Sequence, residues 1–201
     1  MEQQLIISVG REFGSGGHEI AKRISDKYKL PIYDHQLLDE LAEQTNLNND
    51  ELKKLDEVRR NRLLSRTVRG LNNSPSHNLA FLQFNLLKKK ADSGESFVVV
   101  GRCSETILKG NPALVSLFIL GDNEAKVQRI MELYQLSEVG AKALICDKDR
   151  KRKQYHNSYC PGKWGDSRNY DLSINSSKLG IGETVNIISE YIDARIRRLA
   201  R

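Results

Sequence analysis

The segment LIISVGREFGSGGHEIAKRI, residues 5–24, constrains the fold more than any other part of the chain. It begins with a continuous apolar run, Leu5–Val9, which is typical of a buried β-strand. A turn with three glycines in four residues follows. A helix is then predicted, because Ile20, Ile24 and Tyr28 fall one helical turn apart and form an apolar stripe. The order strand, glycine-rich turn and helix is the start of an α/β fold.

The glycine-rich turn predicts a binding site for phosphate. Gly14, Gly16 and Gly17 let the backbone turn tightly and present several N–H groups to one anion. The partial positive charge at the N-terminus of the following helix adds to the attraction. We expect the N–H groups from Gly14 to His18 to hold the phosphates, with Ser15 offering a hydroxyl. The alternative is an ordinary tight turn, which does not need so many glycines.

The turn departs from the common nucleotide-binding pattern G-x-x-x-x-G-K-[ST]. When Gly16 is aligned with the second glycine, Gly17 occupies the position of the phosphate-binding lysine and His18 that of the magnesium-binding hydroxyl. Arg11 replaces the first glycine. Arg11 itself, or arginines from later in the chain, are the candidates for the missing positive charge.

Further apolar runs predict a parallel sheet of about five strands. They are continuous and do not alternate with polar residues, which is typical of strands buried on both faces. The predicted strands after Leu5–Val9 are Pro31–Tyr33, Phe97–Val100, Val115–Leu120 and Leu172–Ile174. Helical segments separate them, and the last segment of the chain carries an apolar stripe from Val185 to Leu199. We therefore predict a three-layer α/β/α sandwich formed by a single domain, residues 1–201.

Two segments interrupt this alternation of strands and helices. Residues 35–92 are almost wholly amphipathic and helical in pattern, so we predict a helical insertion at the ligand-binding end of the sheet. Residues 136–168 form a charge-dense helix up to Tyr159 and then the loop CPGKWGDSRN. The five basic groups in residues 148–153 are open to two interpretations. They form either an exposed helix face or a mobile arm that brings guanidinium groups onto phosphate.

Composition narrows the choice of partners. The net charge of +6 suits an anionic ligand. Nucleic acid is disfavoured, because the aromatic residues are not interleaved with basic ones and no DNA-reading helix pair is recognisable. No apolar run approaches the roughly 20 residues that cross a bilayer, and no secretory leader is recognisable, so we expect a cytoplasmic protein without a membrane segment. Cys103, Cys146 and Cys160 include no Cys-x-x-Cys pair, so we expect ordinary thiols and no metal site.

Four stretches together resemble a known family. They are GREFGSGGHEIAKRI, LPIYDHQLL, VVVGRCSETIL and DRKRKQYHNSYCPGKWGDSRNYDLSINSSKLG. Their order and spacing are similar to those of the bacterial cytidylate-kinase-like family, a branch of the P-loop nucleoside monophosphate kinases. The resemblance implies transfer of the γ-phosphoryl group of ATP, with Mg²⁺, to a nucleoside monophosphate such as CMP or dCMP. This reaction asks a protein mainly for positioning and charge neutralisation.

The resemblance also implies roles for individual residues. Arg102, directly after a predicted strand, would bind the acceptor phosphate, and Asp34 would touch the acceptor or a magnesium-bound water. Asp34 has an equally plausible role as the N-cap of a helix over residues 35–43. Arg129 would lie near the donor, or else pair on the helix surface with Glu132.

In the helix of residues 136–159, Asp149 and Arg152 are three residues apart and share one helix face. The resemblance assigns this helix to a lid, with Asp149, Arg150 and Arg152 as the catalytic candidates and the arginines closing over the transferring phosphoryl group. Trp164 and Tyr170 are expected to anchor the loop that follows. Cys103 and the missing lysine both depart from the family pattern. Two alternatives therefore remain: a kinase for another small molecule, and a nucleotide-binding regulatory protein without catalysis.

Overall fold

In the part of the chain that the structure describes, five parallel strands and six α-helices form the body of the fold. The computed structural model of the chain describes residues 3–34, 67–68, 71–72 and 75–199. The strands are β1 (Ile6–Arg11), β2 (Ile32–Tyr33), β3 (Thr67–Val68), β4 (Leu71–Asn72), β5 (Phe97–Val100), β6 (Leu114–Leu120) and β7 (Leu172–Asn175). The helices are α1 (Gly17–Tyr28), α2 (Pro75–Asp92), α3 (Ser104–Ile107), α4 (Asn123–Tyr134), α5 (Glu138–Tyr159) and α6 (Ser176–Leu199), with a non-helical Gly180 inside α6.

The main sheet has the strand order β2-β5-β1-β6-β7, and all of its pairs are parallel. β1 lies at its centre, with Ile6 opposite Phe97 of β5 and Leu114 of β6. Because the strands are parallel, β1 and its two neighbours all end at one edge of the sheet. Ligands of open α/β sheets bind at this carboxyl edge. The five predicted strands are confirmed, with ends that shift by a residue or two.

Helices cover both faces of the sheet, as the three-layer prediction requires. On one face, α1 and α6 bury apolar side chains against alternate residues of the central strands, among them Ile7, Val9, Val98, Val100 and Leu117. On the other face, α2 packs onto the residues in between, Ile6, Phe97 and Val99. The continuous apolar runs therefore reflect burial on both faces. Among the described residues, none of the helices combines the length and apolarity needed to cross a bilayer.

The predicted helical insertion of residues 35–92 needs correction in two places. β3 and β4 form a short antiparallel hairpin within it. The two strands are separated by only two residues, Arg69 and Gly70, a length and composition that favour a hairpin over a helix. α2 is helical as predicted, but it forms one layer of the core. Its residues Leu79, Leu86 and Leu87 are buried there. Residues 35–66, with the helix expected to begin after Asp34, lie outside the described residues.

The charge-dense helix is present as α5, over 22 residues, and the loop after it returns to the sheet through aromatic contacts. The Trp164 ring meets Phe118 of β6 edge to face at 5.4 Å between centroids. Tyr170, which is buried, contacts the same phenylalanine at 4.9 Å. These contacts place both aromatic residues where the sequence predicted them, between the end of α5 and the start of β7.

Candidate active site

The glycine-rich turn connects β1 to α1 at the centre of the carboxyl edge. Two hydroxyl groups hold it in shape: Ser15 Oγ donates to the Glu12 carbonyl at 2.9 Å, and Ser176 Oγ donates to the Ser15 carbonyl at 2.6 Å. The Ser15 hydroxyl, expected to face a ligand, thus stabilises the loop itself. Gly16 caps α1 in a left-handed conformation with φ 75°. The first N–H groups of α1 have no acceptor within the helix, an arrangement that favours anions.

The two departures from the common nucleotide-binding pattern compensate for each other. A Cβ atom at position 17 would lie 2.5 Å from the Cβ of Arg11, closer than two such carbon atoms can approach. Arg11 therefore fills the space into which a lysine at position 17 would have to grow. An arginine at the first position of the turn requires a glycine at the position of the usual lysine.

The Arg11 side chain runs from the loop towards the end of β5. Its Nη1 atom lies against the Cα of Gly101, where a side chain would collide with it. Burial lowers the pKa of Arg11 to about 9, and the positive charges of Arg152 and Arg102 act in the same direction. Asp34 and Asp149 oppose them, and the guanidinium remains charged at neutral pH. Its Nε atom is buried without a hydrogen-bond partner among the described residues.

The backbone directly after β5 is strained. Gly101, Arg102 and Cys103 follow one another in left-handed conformations, with φ of 78°, 60° and 56°. For a residue with a side chain this conformation costs about 1–2 kcal/mol, and such strain is common at functional sites. It directs the chain from the end of β5 into α3, where Ser104 Oγ lies 2.6 Å from Ser8 Oγ of β1. Arg102 thus stands at the carboxyl edge, directly after Gly101, which the Arg11 guanidinium approaches.

The lid helix α5 rests on the loop through two charged side chains. Asp149 Oδ1 accepts a hydrogen bond from the Phe13 N–H at 2.7 Å. Arg152 Nη1 donates to the Arg11 carbonyl at 3.3 Å, and its guanidinium lies over the Phe13 ring, 5.4 Å from the centroid. Burial raises the pKa of Asp149, although the Phe13 hydrogen bond and the charge of Arg152 act to lower it. Burial also lowers the pKa of Arg152. Both charges are thus held partly out of water beside the loop.

Lys126 of α4 is a further residue of the site, which the sequence analysis missed. Its side chain is only 6% exposed, and its Nζ atom lies 2.9 Å from Glu12 Oε2 and 4.0 Å from Asp149 Oδ2. The signal is present in the sequence, because Lys126 falls on the apolar face that α4 buries with Ile130. A lysine on such a face needs a negatively charged partner, and Glu12 supplies it.

Comparison with known proteins places this arrangement in a family. A model described as the cytidylate kinase-like family matches residues 6–178. The chain belongs to the cytidylate kinase-like family. A crystal structure of an uncharacterized protein from Eubacterium ventriosum ATCC 27560 is 40% identical in sequence, with a TM-score of 0.75, and the match covers 94% of this chain and 99% of that one. No curated protein matches the chain.

More distant structures agree on the fold. Shikimate kinase from Bacteroides thetaiotaomicron is 13% identical, with a TM-score of 0.53 and coverage of 94% of this chain and 98% of that one. A gluconokinase from Sinorhizobium meliloti 1021 is 12% identical, with a TM-score of 0.55 and coverage of 100% and 95%. At this level of identity the likeness concerns the fold alone. The predicted P-loop kinase fold is confirmed.

Other members of the predicted site have different partners from those expected. Arg129 pairs with Glu19 of α1 at 2.7 Å, not with Glu132, although it still lies beside Gly16 of the loop. Its hydrogen bond holds the pKa of Glu19 below the ordinary value. His18 Nδ1 lies 3.6 Å from Asp34 Oδ2.

Arg150, one of the two arginines assigned to the lid, is placed on the outer side of α5. Its guanidinium bonds Asp147 at 2.5 Å, and the side chain is 53% exposed. Successive residues of a helix point in directions about 100° apart, so Arg150 and Arg152, two residues apart, face nearly opposite sides of α5. The lid in this conformation therefore presents Asp149 and Arg152 to the loop.

The compensation between Arg11 and Gly17 predicts a double-mutant cycle. Gly17→Ala should lower the free energy of unfolding by about 1–3 kcal/mol, because its Cβ meets that of Arg11. In an Arg11→Gly background the same change should be neutral or stabilising, since alanine is favoured over glycine in a helix. Chemical denaturation of the four proteins measures the coupling.

Gly182→Ala is the matched control for this cycle. Gly182 lies in α6 with open space around its missing Cβ. Its replacement should leave stability unchanged or raise it by up to about 1 kcal/mol. Equal effects of Gly17→Ala with and without Arg11 would show that the two positions are independent.

Proposed function

We propose that this chain transfers the γ-phosphoryl group of ATP to a nucleoside monophosphate, with CMP or dCMP as the acceptor. The observation that carries the proposal is the convergence of three arginines from three separate elements at one edge of the sheet. Arg11 ends β1, Arg102 follows β5, and Arg152 lies on the lid helix. Burial lowers the pKa of Arg11, and the charges of both other arginines lower it further. Proteins gather mutually repelling cations mainly where an anion will neutralise them.

In this proposal the donor phosphates lie on the loop. The N–H groups from Gly14 to His18 hold them, and Arg129 lies beside the loop on the donor side. Arg11 takes over part of the work of the usual lysine, approaching from the acceptor side of the loop. A guanidinium there is suited to bridge the donor and acceptor phosphates, because its planar fork binds two oxygens at once.

The acceptor phosphate lies against Arg102 in this proposal. The strained backbone of residues 101–103 aims this residue at the carboxyl edge next to Arg11. Asp34, whose negative charge acts on the Arg11 guanidinium, has a carboxylate of the kind that Mg²⁺ accepts directly or through water. Mg²⁺ would neutralise charge on the transferring group, and Asp34 would hold it or one of its waters.

The lid acts by excluding water and by adding positive charge. With Asp149 on the Phe13 N–H and Arg152 on the Arg11 carbonyl, α5 covers the loop. Closure over bound ATP would bring the Arg152 guanidinium to the phosphates and keep bulk water away from the γ-phosphate. Arg150 would reach the substrates only if α5 turned. The chain would work in the cytoplasm with nucleotides as its partners.

A second candidate is a nucleotide-binding protein that does not transfer phosphate. The glycine at position 17 and the engagement of the Lys126 amine with Glu12 favour it, because neither position offers a lysine directed at the phosphates. A third candidate is transfer to a different small molecule, since kinases that share this fold include shikimate kinase and gluconokinase.

Release of ADP in a coupled assay with ATP and Mg²⁺ distinguishes these candidates. The acceptors are CMP, dCMP, UMP, AMP, GMP, shikimate and gluconate, with an acceptor-free control. We expect turnover above the control with CMP or dCMP. Turnover with shikimate or gluconate alone would reassign the acceptor. ATP binding without turnover on any acceptor would contradict the kinase proposal and favour the regulatory one.

Arg152→Ala should lower turnover by more than about tenfold, because the lid loses the cation that neutralises the transferring group. The matched control is Lys151→Ala, which removes a cation one residue away that pairs with Asp147 on the exposed side of α5. Steady-state kinetics of the two variants, with circular dichroism as a check of folding, measures the difference. Equal turnover in both variants would remove the lid from the mechanism.

Arg102→Ala should raise the KM for the acceptor by about tenfold to a hundredfold, as expected for the loss of one charge-assisted hydrogen bond. The KM for ATP should change much less, because the donor lies on the loop. Arg102→Lys should recover part of the affinity, and Lys109→Ala, an exposed cation after α3, is the control. An unchanged acceptor KM in Arg102→Ala would place the acceptor phosphate elsewhere.

A further inference from the structure

A second cluster of reactive side chains lies between α3 and the C-terminal end of α5. Its members are Cys103, Glu105, His156 and Cys160, and all are buried. His156 Nε2 lies 2.8 Å from Glu105 Oε1. One ligand atom from each of Glu105, His156 and Cys160 lies within 4.8 Å of the others. Cys103 belongs to the same buried apolar cluster as Cys160.

Local structure presents these side chains in two pairs. His156 and Cys160 are one turn apart at the end of α5, where the Cys160 N–H donates to the His156 carbonyl at 2.8 Å. Cys103 and Glu105 lie at the start of α3, and the left-handed conformation of Cys103 begins that helix. Each pair is thus set by a helix end, and the packing of α3 against α5 brings the pairs together.

The surroundings fit a buried metal ion. The four relative exposures lie between 3% and 8%, so the site is closed to bulk solvent. Phe84, Tyr155 and Tyr159 pack around the two cysteines and form an apolar shell. The Glu105 carboxylate and a thiolate at Cys160 would bring negative charge into this shell. A divalent cation would neutralise that charge, which is otherwise costly to bury.

The second ring nitrogen of His156 also has the partner that a metal ligand needs. His156 Nδ1 lies 3.3 Å from Asn157 Oδ1, and the same oxygen accepts the Trp164 N–H at 2.9 Å. With a metal on Nε2, the proton sits on Nδ1 and donates to the Asn157 carbonyl oxygen. Histidine ligands are typically oriented by such a bond.

We propose that Glu105, His156 and Cys160 form a Zn²⁺ site. One carboxylate, one imidazole and one thiolate are ligands that zinc accepts, and one further ligand would complete the tetrahedron. The ion ties α3 to the end of the lid helix, because Glu105 lies in α3 whereas His156 and Cys160 lie at the end of α5. Its role is structural, since all three ligands are buried away from bulk solvent. The sequence shows no local zinc motif because Glu105 is more than 50 residues from the other two ligands.

Metal analysis of the purified protein tests the site. The protein is expressed with added zinc, purified without chelator and measured by plasma mass spectrometry. We expect equimolar zinc in the unmodified chain and its loss in Cys160→Ser and His156→Ala. The matched control is Cys146→Ser, which changes an exposed cysteine elsewhere on α5 and should keep its zinc. Absence of zinc from the unmodified chain, or its retention in Cys160→Ser, overturns the proposal.

A second measurement uses the unmodified chain alone and so does not depend on whether the variants fold. Replacement of zinc by Co²⁺ should give a thiolate-to-metal charge-transfer band and the intense visible bands of tetrahedral cobalt. X-ray absorption at the zinc edge should show one sulfur ligand at about 2.3 Å and lighter ligands at about 2.0 Å. A spectrum of six oxygen or nitrogen ligands would contradict the site. Neither measurement uses kinase activity, so this inference can fail independently of the proposed function.

Discussion

The close contact between Arg11 and the two glycines around it is the constraint on which the site depends. The arginine leaves the central strand, passes the start of α1 at Gly17 and reaches the end of β5 at Gly101. Any side chain at either glycine would displace it. One guanidinium thereby lies between the glycine-rich loop and the turn after β5. In the common nucleotide-binding pattern a lysine of the loop carries the positive charge, whereas here an arginine at the end of the strand carries one.

Charge balance explains how so many cations are accommodated at one sheet edge. Arg11, Lys126 and Arg152 surround the loop, and Glu12, Asp34 and Asp149 lie among them. The carboxylates hold the cations in place, and burial strengthens every interaction because little water screens it. An arriving phosphate would compete with Asp149 for the loop N–H groups. The lid contacts are therefore suited to be exchanged when substrates bind.

Most of the fold could be predicted from local pattern, and much less of the site could. Continuous apolar runs predicted the strands, because burial on both faces leaves no polar alternation. Glycine spacing predicted the loop, because the three glycines lie within four residues of the chain. The hairpin of β3 and β4 was missed because a helical pattern on both sides outweighed one short turn. Lys126 and the true partner of Arg129 were missed because both depend on the packing of α4 against the loop and α1, which spacing along one helix does not reveal.

The amino-acid sequence by itself determined the order of elements, the position of the glycine-rich loop and membership of a kinase-like family, since these follow from residues close together in the chain. Only the tertiary structure decided which charges meet. The need for a glycine at position 17 is explained only in the folded loop, where Arg11 lies against it. Arg152 and not Arg150 contacts the loop because of the face that α5 turns towards it. Cys103 and Cys160, which form no motif in the sequence, lie in one cluster because the packing of α3 against α5 brings together residues more than 50 positions apart.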